Sequence, residues 1–230
     1  MSSIACNGLI TEPKGNIVGI LIDLSDTFKQ VNDLSIEELK PIFAINKNPY
    51  APSTCTIGFI SSLRYTETQK FSVHGQSELT ANILERKMMR DTFYANIEQH
   101  ISQIKKKPIG TKGSFVCYAL SKMLLEIAEC KDCEGKKVIV LSDLMEHTSA
   151  FSVYDKKQYT LLKTNPEAVR QILDREYPLP PIGGIEIVFV HKPINKEQDE
   201  QFHSVSQFFK WYYGTCHKAK VSVSATIPKE

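Results

Sequence analysis

Residues 17–24 read IVGILIDL, an apolar run with no alternation of polar and apolar residues before its end. A strand with one wet face alternates, because successive side chains point to opposite sides of a sheet. An unbroken run therefore belongs to a central strand covered on both faces, as in parallel sheets. The segment ends in Asp-Leu-Ser-Asp-Thr, which puts carboxylates and hydroxyls at the strand's carboxyl end. Two more segments share this character: residues 137–144 (KVIVLSDL), again ending in Ser-Asp, and residues 185–191 (IEIVFVH).

Helical patterns lie between these runs. Ser35-Ile36-Glu37-Glu38 is a capping box that opens a short helix to about Phe43. Residues 54–61 (TCTIGFIS) read as a second strand, and the more polar, alternating residues 64–75 as its antiparallel edge partner. Residues 77–107 predict one long amphipathic helix with Leu79, Ile83, Phe93, Ile97, Ile101 and Ile104 as its buried stripe. Lys105, Lys106 and Lys107 suit its C-terminal dipole, and Pro108 and Gly110 stop it. Thr111 heads the next helix, whose stripe is Val116, Leu120, Met123, Leu124 and Ile127. Thr164-Asn165-Pro166-Glu167 starts a helix to about Tyr177, with proline at its first helical position. Residues 199–213 predict a helix with Phe202, Val205, Phe209 and Tyr212 inward, and residues 220–227 a last strand. Strands alternating with helices in this way predict a doubly wound, Rossmann-like three-layer α/β/α fold. Its sheet is expected to be mostly parallel with one antiparallel edge strand. Such sheets bind ligands at the strands' carboxyl ends, beside the point where the winding reverses.

With 230 residues, 42% of them hydrophobic and 23% charged, the chain has material for a full core. Residues 1–14 read as an N-terminal extension and 15–230 as a single domain. A formal net charge of +2 gives no support for a nucleic-acid binder. No apolar stretch is long enough to cross a bilayer, and the first residues lack the basic start and apolar run of a signal peptide. The six cysteines are then expected to be reduced, and the expected compartment is the cytoplasm.

The strand ends carry the candidate site. Asp23, Ser25 and Thr27 are spaced by two, so a loop leaving the strand can turn all three toward one point. One carboxylate and two hydroxyls are hard oxygen donors of the kind magnesium favours. Asp143 offers a second carboxylate, and Thr111, after Gly110, a third hydroxyl. A strand followed by Asp-x-Ser-x-Thr resembles the Asp-x-Ser-x-Ser signature of von Willebrand factor A (vWA) domains. Gly110-Thr111 resembles that family's second loop and Leu141-Ser142-Asp143 its third, in the family's order, over about residues 15–227. The resemblance implies a vWA-type fold and a metal-ion-dependent adhesion-type (MIDAS-like) site. It implies that Ser25, Thr27 and Thr111 hold Mg²⁺ or Mn²⁺ directly or through water. Asp23 and Asp143 would act mostly through water or hydroxyl partners. One coordination position would stay open to an acidic side chain of a protein partner. The chain departs from the family in having Thr27 for the usual Ser, Leu144 where Gly often follows the third-loop Asp, and a long interval from Thr27 to Thr111.

Other readings exist for the same residues. Asp, Ser and Thr are common turn formers, so a metal-free relative of the same fold has the same sequence signs. Asp23-Leu-Ser-Asp-Thr also resembles the Asp-x-Asp-x-Thr of haloacid-dehalogenase phosphatases, which would make Asp23 the nucleophile of a magnesium-dependent enzyme. Ser25 replaces the general acid/base of that motif and no lysine with paired carboxylates follows, so no enzyme is expected. Cys130 and Cys133 lie in a turn with only the distant Cys216-His217 as further ligands, and two surface thiols are expected. The six histidines show no ligand spacing, though His147 is placed to line the site's rim. Phe208, Phe209, Trp211, Tyr212 and Tyr213 form a core-facing stripe that spills over. Gly183-Gly184 is a turn, and no glycine-rich nucleotide fingerprint is present.

Overall fold

In the computed structural model, residues 13–24, 34–61, 68–106, 113–192 and 195–228 are described. The strands are β1 (Gly15–Asp23), β2 (Ser53–Ile60), β3 (Gln69–Val73), β4 (Cys133–Leu141), β5 (Glu186–Val190) and β6 (Lys220–Ser224). They form one sheet in the order β3-β2-β1-β4-β5-β6, parallel throughout except for the β2–β3 pair. The expected doubly wound three-layer fold with one antiparallel edge is therefore what this chain adopts. The winding reverses between β1 and β4.

The continuous apolar runs are explained by two cores, one on each face. Ile17 and Leu21 of β1 join Val138 and Val140 of β4 in the first core. Val18, Ile20 and Ile22 join Ile139 and Leu141 in the second. Helix α4 (Val116–Ala128) lies on the first face, with α5 (Lys156–Thr164), α6 (Pro166–Glu176) and α7 (Lys196–Phe209). The short helices α1 (Ile36–Leu39) and α2 (Ala44–Lys47) and the long α3 (Ile83–Ile104) cover the second. All five stripe residues expected on α4 are buried, each adding about 1.5–3 kcal/mol relative to exposure. Gly19 lets this helix sit close: a Cβ there would lie 2.6 Å from Met123 Sδ.

Several elements differ from the sequence-based expectation. The Ser35–Glu38 capping box is present, but α1 lasts one turn before a 3₁₀ segment, Lys40–Ile42, that contains Pro41. Helix α3 starts at Ile83, behind an Asn82 side-chain cap that takes the Leu84 and Glu85 N–H groups, and not at residue 77. Leu79 and Ile83 are exposed and take no part in the stripe, whereas Phe93, Ile97, Ile101 and Ile104 do. Residues 156–164 form a helix with no counterpart among the expected elements. Helix α7 runs on into a π-helical segment, Lys210–Cys216, and Phe208, Phe209, Tyr212 and Tyr213 are all buried. Cys130 and Cys133 are not two thiols but a disulfide, because the turn between α4 and β4 brings their Cα atoms to 5.8 Å. This removes the argument from reduced thiols on which the cytoplasmic expectation partly rested. No described helix is long and apolar enough to cross a membrane.

Candidate functional site

Strand parity decides where the site's carboxylates point. Residues 17, 19 and 21 of β1 face the α4 side, so Asp23, the last residue of β1, faces the same way. By the same count along β4, Val138 and Val140 put Ser142 on that side too. The two meet: Ser142 Oγ donates to Asp23 Oδ2 at 2.6 Å. Ser114, two residues before α4, donates its hydroxyl to the same oxygen at 3.2 Å. Asp23 is fully buried, so these charge-assisted hydrogen bonds replace the water it lost.

Asp143 follows β4 at the carboxyl end of the sheet, across the winding reversal from Asp23. Its Oδ1 accepts from the Met145 N–H at 3.1 Å, and Ser142 Oγ accepts from the Leu144 N–H at 2.9 Å. These bonds hold a tight turn in which Leu144 has φ +62°. An L-residue in that left-handed region is strained by roughly 1–2 kcal/mol, and glycine is not. Leu144 is fully buried in the first core, and that burial offsets the strain. Leu144 thus holds a backbone conformation that glycine takes without strain.

The turn ends in a group the sequence reading missed. Glu146 is fully buried, and its Oε2 accepts the Cys117 N–H at 2.7 Å, in the first turn of α4. A carboxylate there suits the unpaired amides and positive end of the helix. Its Oε1 has no hydrogen-bond partner among the described residues. Burial pushes its carboxyl up to about 8 against the pull of the Cys117 N–H, with the Asp23 charge pushing the same way as burial. His191, one residue past β5, is also buried; burial pushes its imidazole down while Asp143 and Asp199 pull it up. His147 is exposed, with its ring nitrogen 2.8 Å from Ser152 Oγ.

Of the five expected ligands, Asp23 ends β1 and Asp143 follows β4, at the carboxyl ends of the two strands between which the winding reverses. Ser25, Thr27 and Thr111 lie outside the described residues. Among the described residues no group of three or more His, Cys, Asp or Glu side chains could hold a metal ion. A hydroxyl-rich donor set would in any case bring only two carboxylates together. Ser114, Ser142, Glu146 and His191 are additions. Parity along β4 was the available signal for Ser142. Glu146 and Ser114 carried none, since their roles depend on how the third loop packs against the start of α4, where the His147 N–H reaches the Ser114 carbonyl.

No protein-family model and no curated protein matches this chain. Among solved structures, proximal thread matrix protein 1 of the mussel byssus, with a zinc-occupied MIDAS motif, is similar at 13% identity and a TM-score of 0.44; the match covers 94% of this chain and 42% of that one. The pilus adhesin SpaC of Lactobacillus rhamnosus GG is similar at 12% identity and a TM-score of 0.49, over 94% of this chain and 29% of that one. The chain spans less than half the length of either neighbour. Neither likeness is close enough to carry chemistry from those proteins to this one.

Proposed function

We propose that this chain is a protein-interaction module that binds an acidic side chain of its partner through a divalent cation, Mg²⁺ or Mn²⁺, at the carboxyl ends of β1 and β4. The observation that carries the reading is the meeting of Asp23, Ser142 and Ser114 beside Asp143 at the one point where the sheet's winding reverses. In this reading Ser25, Thr27 and Thr111 hold the ion directly or through water, and Asp23 and Asp143 act mostly through water or hydroxyl partners. A bound cation would supply a Lewis-acidic position for a foreign carboxylate. The serine hydroxyls on Asp23 support this division of labour, since they fix its carboxylate as an acceptor. The same bonds weaken Asp23 as a nucleophile, which favours a binding role over the phosphatase alternative.

Peptides displayed on phage and selected on the immobilised chain in magnesium test the reading. Retained peptides are expected to carry an Asp or Glu, to elute with EDTA, and to ignore the Asp143→Ala chain. Binders that lack an acidic residue and survive EDTA contradict it.

A further inference from the structure

Arg86, near the start of α3, is 2% exposed. Its guanidinium donates to the carbonyls of Pro49, His74 and Ala51, the last at 2.7 Å. These bonds fix this end of α3 against two loops and replace the water the group lost. They leave its charge in place. Arg86 makes no ion pair among the described residues, and burial pushes its pKa down with no carboxylate pulling it back. A buried charge ordinarily has an opposite charge beside it, because desolvation penalises the ion by more than a few dipoles return.

Arg86 also lines a hollow of about 230 Å³, together with Lys87, Arg90, Tyr50, Pro49 and Ile83. Positions 86 and 90 are neighbours on a helix surface. Three cations therefore border one space, and no Asp or Glu lines it among the described residues. Glu85, the acid of the first turn, lines a separate groove against β3. Arg90 touches Asp91 at 3.5 Å, but Asp91 is exposed and such a surface contact offsets little. The positive end of the α3 dipole adds to the same potential. The rest of the lining is Pro49, Tyr50 and Ile83, an apolar side chain that is 76% exposed.

We propose that this hollow binds a small phosphate monoester, with the phosphate among Arg86, Lys87 and Arg90 and the esterified apolar body against Ile83, Pro49 and Tyr50. Charge selects an anion, since three like charges around one space repel and an anion between them removes that repulsion. Valence selects phosphate. It carries nearly two charges at neutral pH and three terminal oxygens, and it matches the guanidinium fork. A carboxylate brings one charge and two oxygens. Size limits the body: at about 30 Å³ per water the hollow holds roughly seven waters, enough for a phosphate and a ring. Ala51, which takes an Arg86 bond, precedes β2, so the hollow lies toward the amino ends of the parallel strands. It is opposite the carboxyl ends of β1 and β4, and the proposal does not depend on a cation there.

Calorimetric titration of the full chain with phenyl phosphate in metal-free buffer tests it, with inorganic phosphate and benzoate as comparison probes. One equivalent of phenyl phosphate is expected to bind, more tightly than either comparison probe and more weakly as salt is raised. Lys87→Ala, at an exposed position, is expected to raise its Kd about tenfold, and Lys87→Ala with Arg90→Ala further, with the fold checked by circular dichroism. Ile83→Ser is expected to raise the Kd of phenyl phosphate about three- to tenfold and to leave that of inorganic phosphate unchanged. No binding of phenyl phosphate at millimolar concentration overturns the proposal, as does binding that ignores both cation substitutions. Benzoate bound as tightly as phenyl phosphate overturns the choice of phosphate. An Ile83→Ser chain that keeps wild-type affinity for phenyl phosphate overturns the apolar body.

Discussion

Replacing Glu146 by Gln removes the most perturbed carboxyl next to the site while keeping its shape and its acceptor for the Cys117 N–H. In the folded chain burial holds the Glu146 proton up to about 8, against an ordinary value of 4.5. Between those values the unfolded chain has released that proton and the folded chain has kept it. The unfolded state then binds fewer protons, and stability must fall as pH rises, by up to about 1.4 kcal/mol per pH unit. The contribution is whole below pH 4.5 and lost as pH climbs through 8. Urea unfolding of both chains in EDTA at pH 5 to 7.5 reads the effect. The Glu146→Gln chain carries a constant offset, because its amide leaves an unpaired donor in place of Oε1. On top of that offset, the difference between the chains is expected to move by about 3 kcal/mol in the variant's favour across the range. Parallel pH profiles, differing by less than about 0.5 kcal/mol in trend, refute the reasoning, since Glu146 would then be ionised in the folded chain.

Other substitutions read single contacts. Gly19→Val drives a side chain into Met123 and is expected to cost about 1–3 kcal/mol in chemical denaturation by lifting α4 from β1. Ser142→Ala strips one donor from Asp23 and the acceptor from the Leu144 N–H, and is expected to cost about 2 kcal/mol by the same assay. A loss below about 0.5 kcal/mol would mean that water replaces both bonds.

Much of this architecture was legible from period and punctuation. The runs at β1, β4 and β5 had to be doubly covered strands, and Pro166 had to open a helix. The misses share one cause, which is that they depend on contacts distant in sequence. The stripe extended back to Leu79 and Ile83 failed because Arg86, not those side chains, anchors the start of α3. The Cys130–Cys133 disulfide is not legible in the sequence, because spacing alone does not reveal how tightly a turn closes. At the site, the strand ends place Asp23 and Asp143 at one end of the sheet, and parity along β4 puts Ser142 on the side of Asp23. Glu146 becomes a site residue only once the third loop folds back onto α4.

The most direct test of the central claim is calorimetric titration of the metal-stripped chain with Mn²⁺, repeated on Asp23→Asn and Asp143→Ala chains that retain the wild-type fold. One equivalent of Mn²⁺ is expected to bind the wild-type chain, to be displaced by excess Mg²⁺, and to be lost in both variants. A wild-type chain that takes up no Mn²⁺ at millimolar concentration, or variants that bind it unchanged, would contradict a cation held at the ends of β1 and β4.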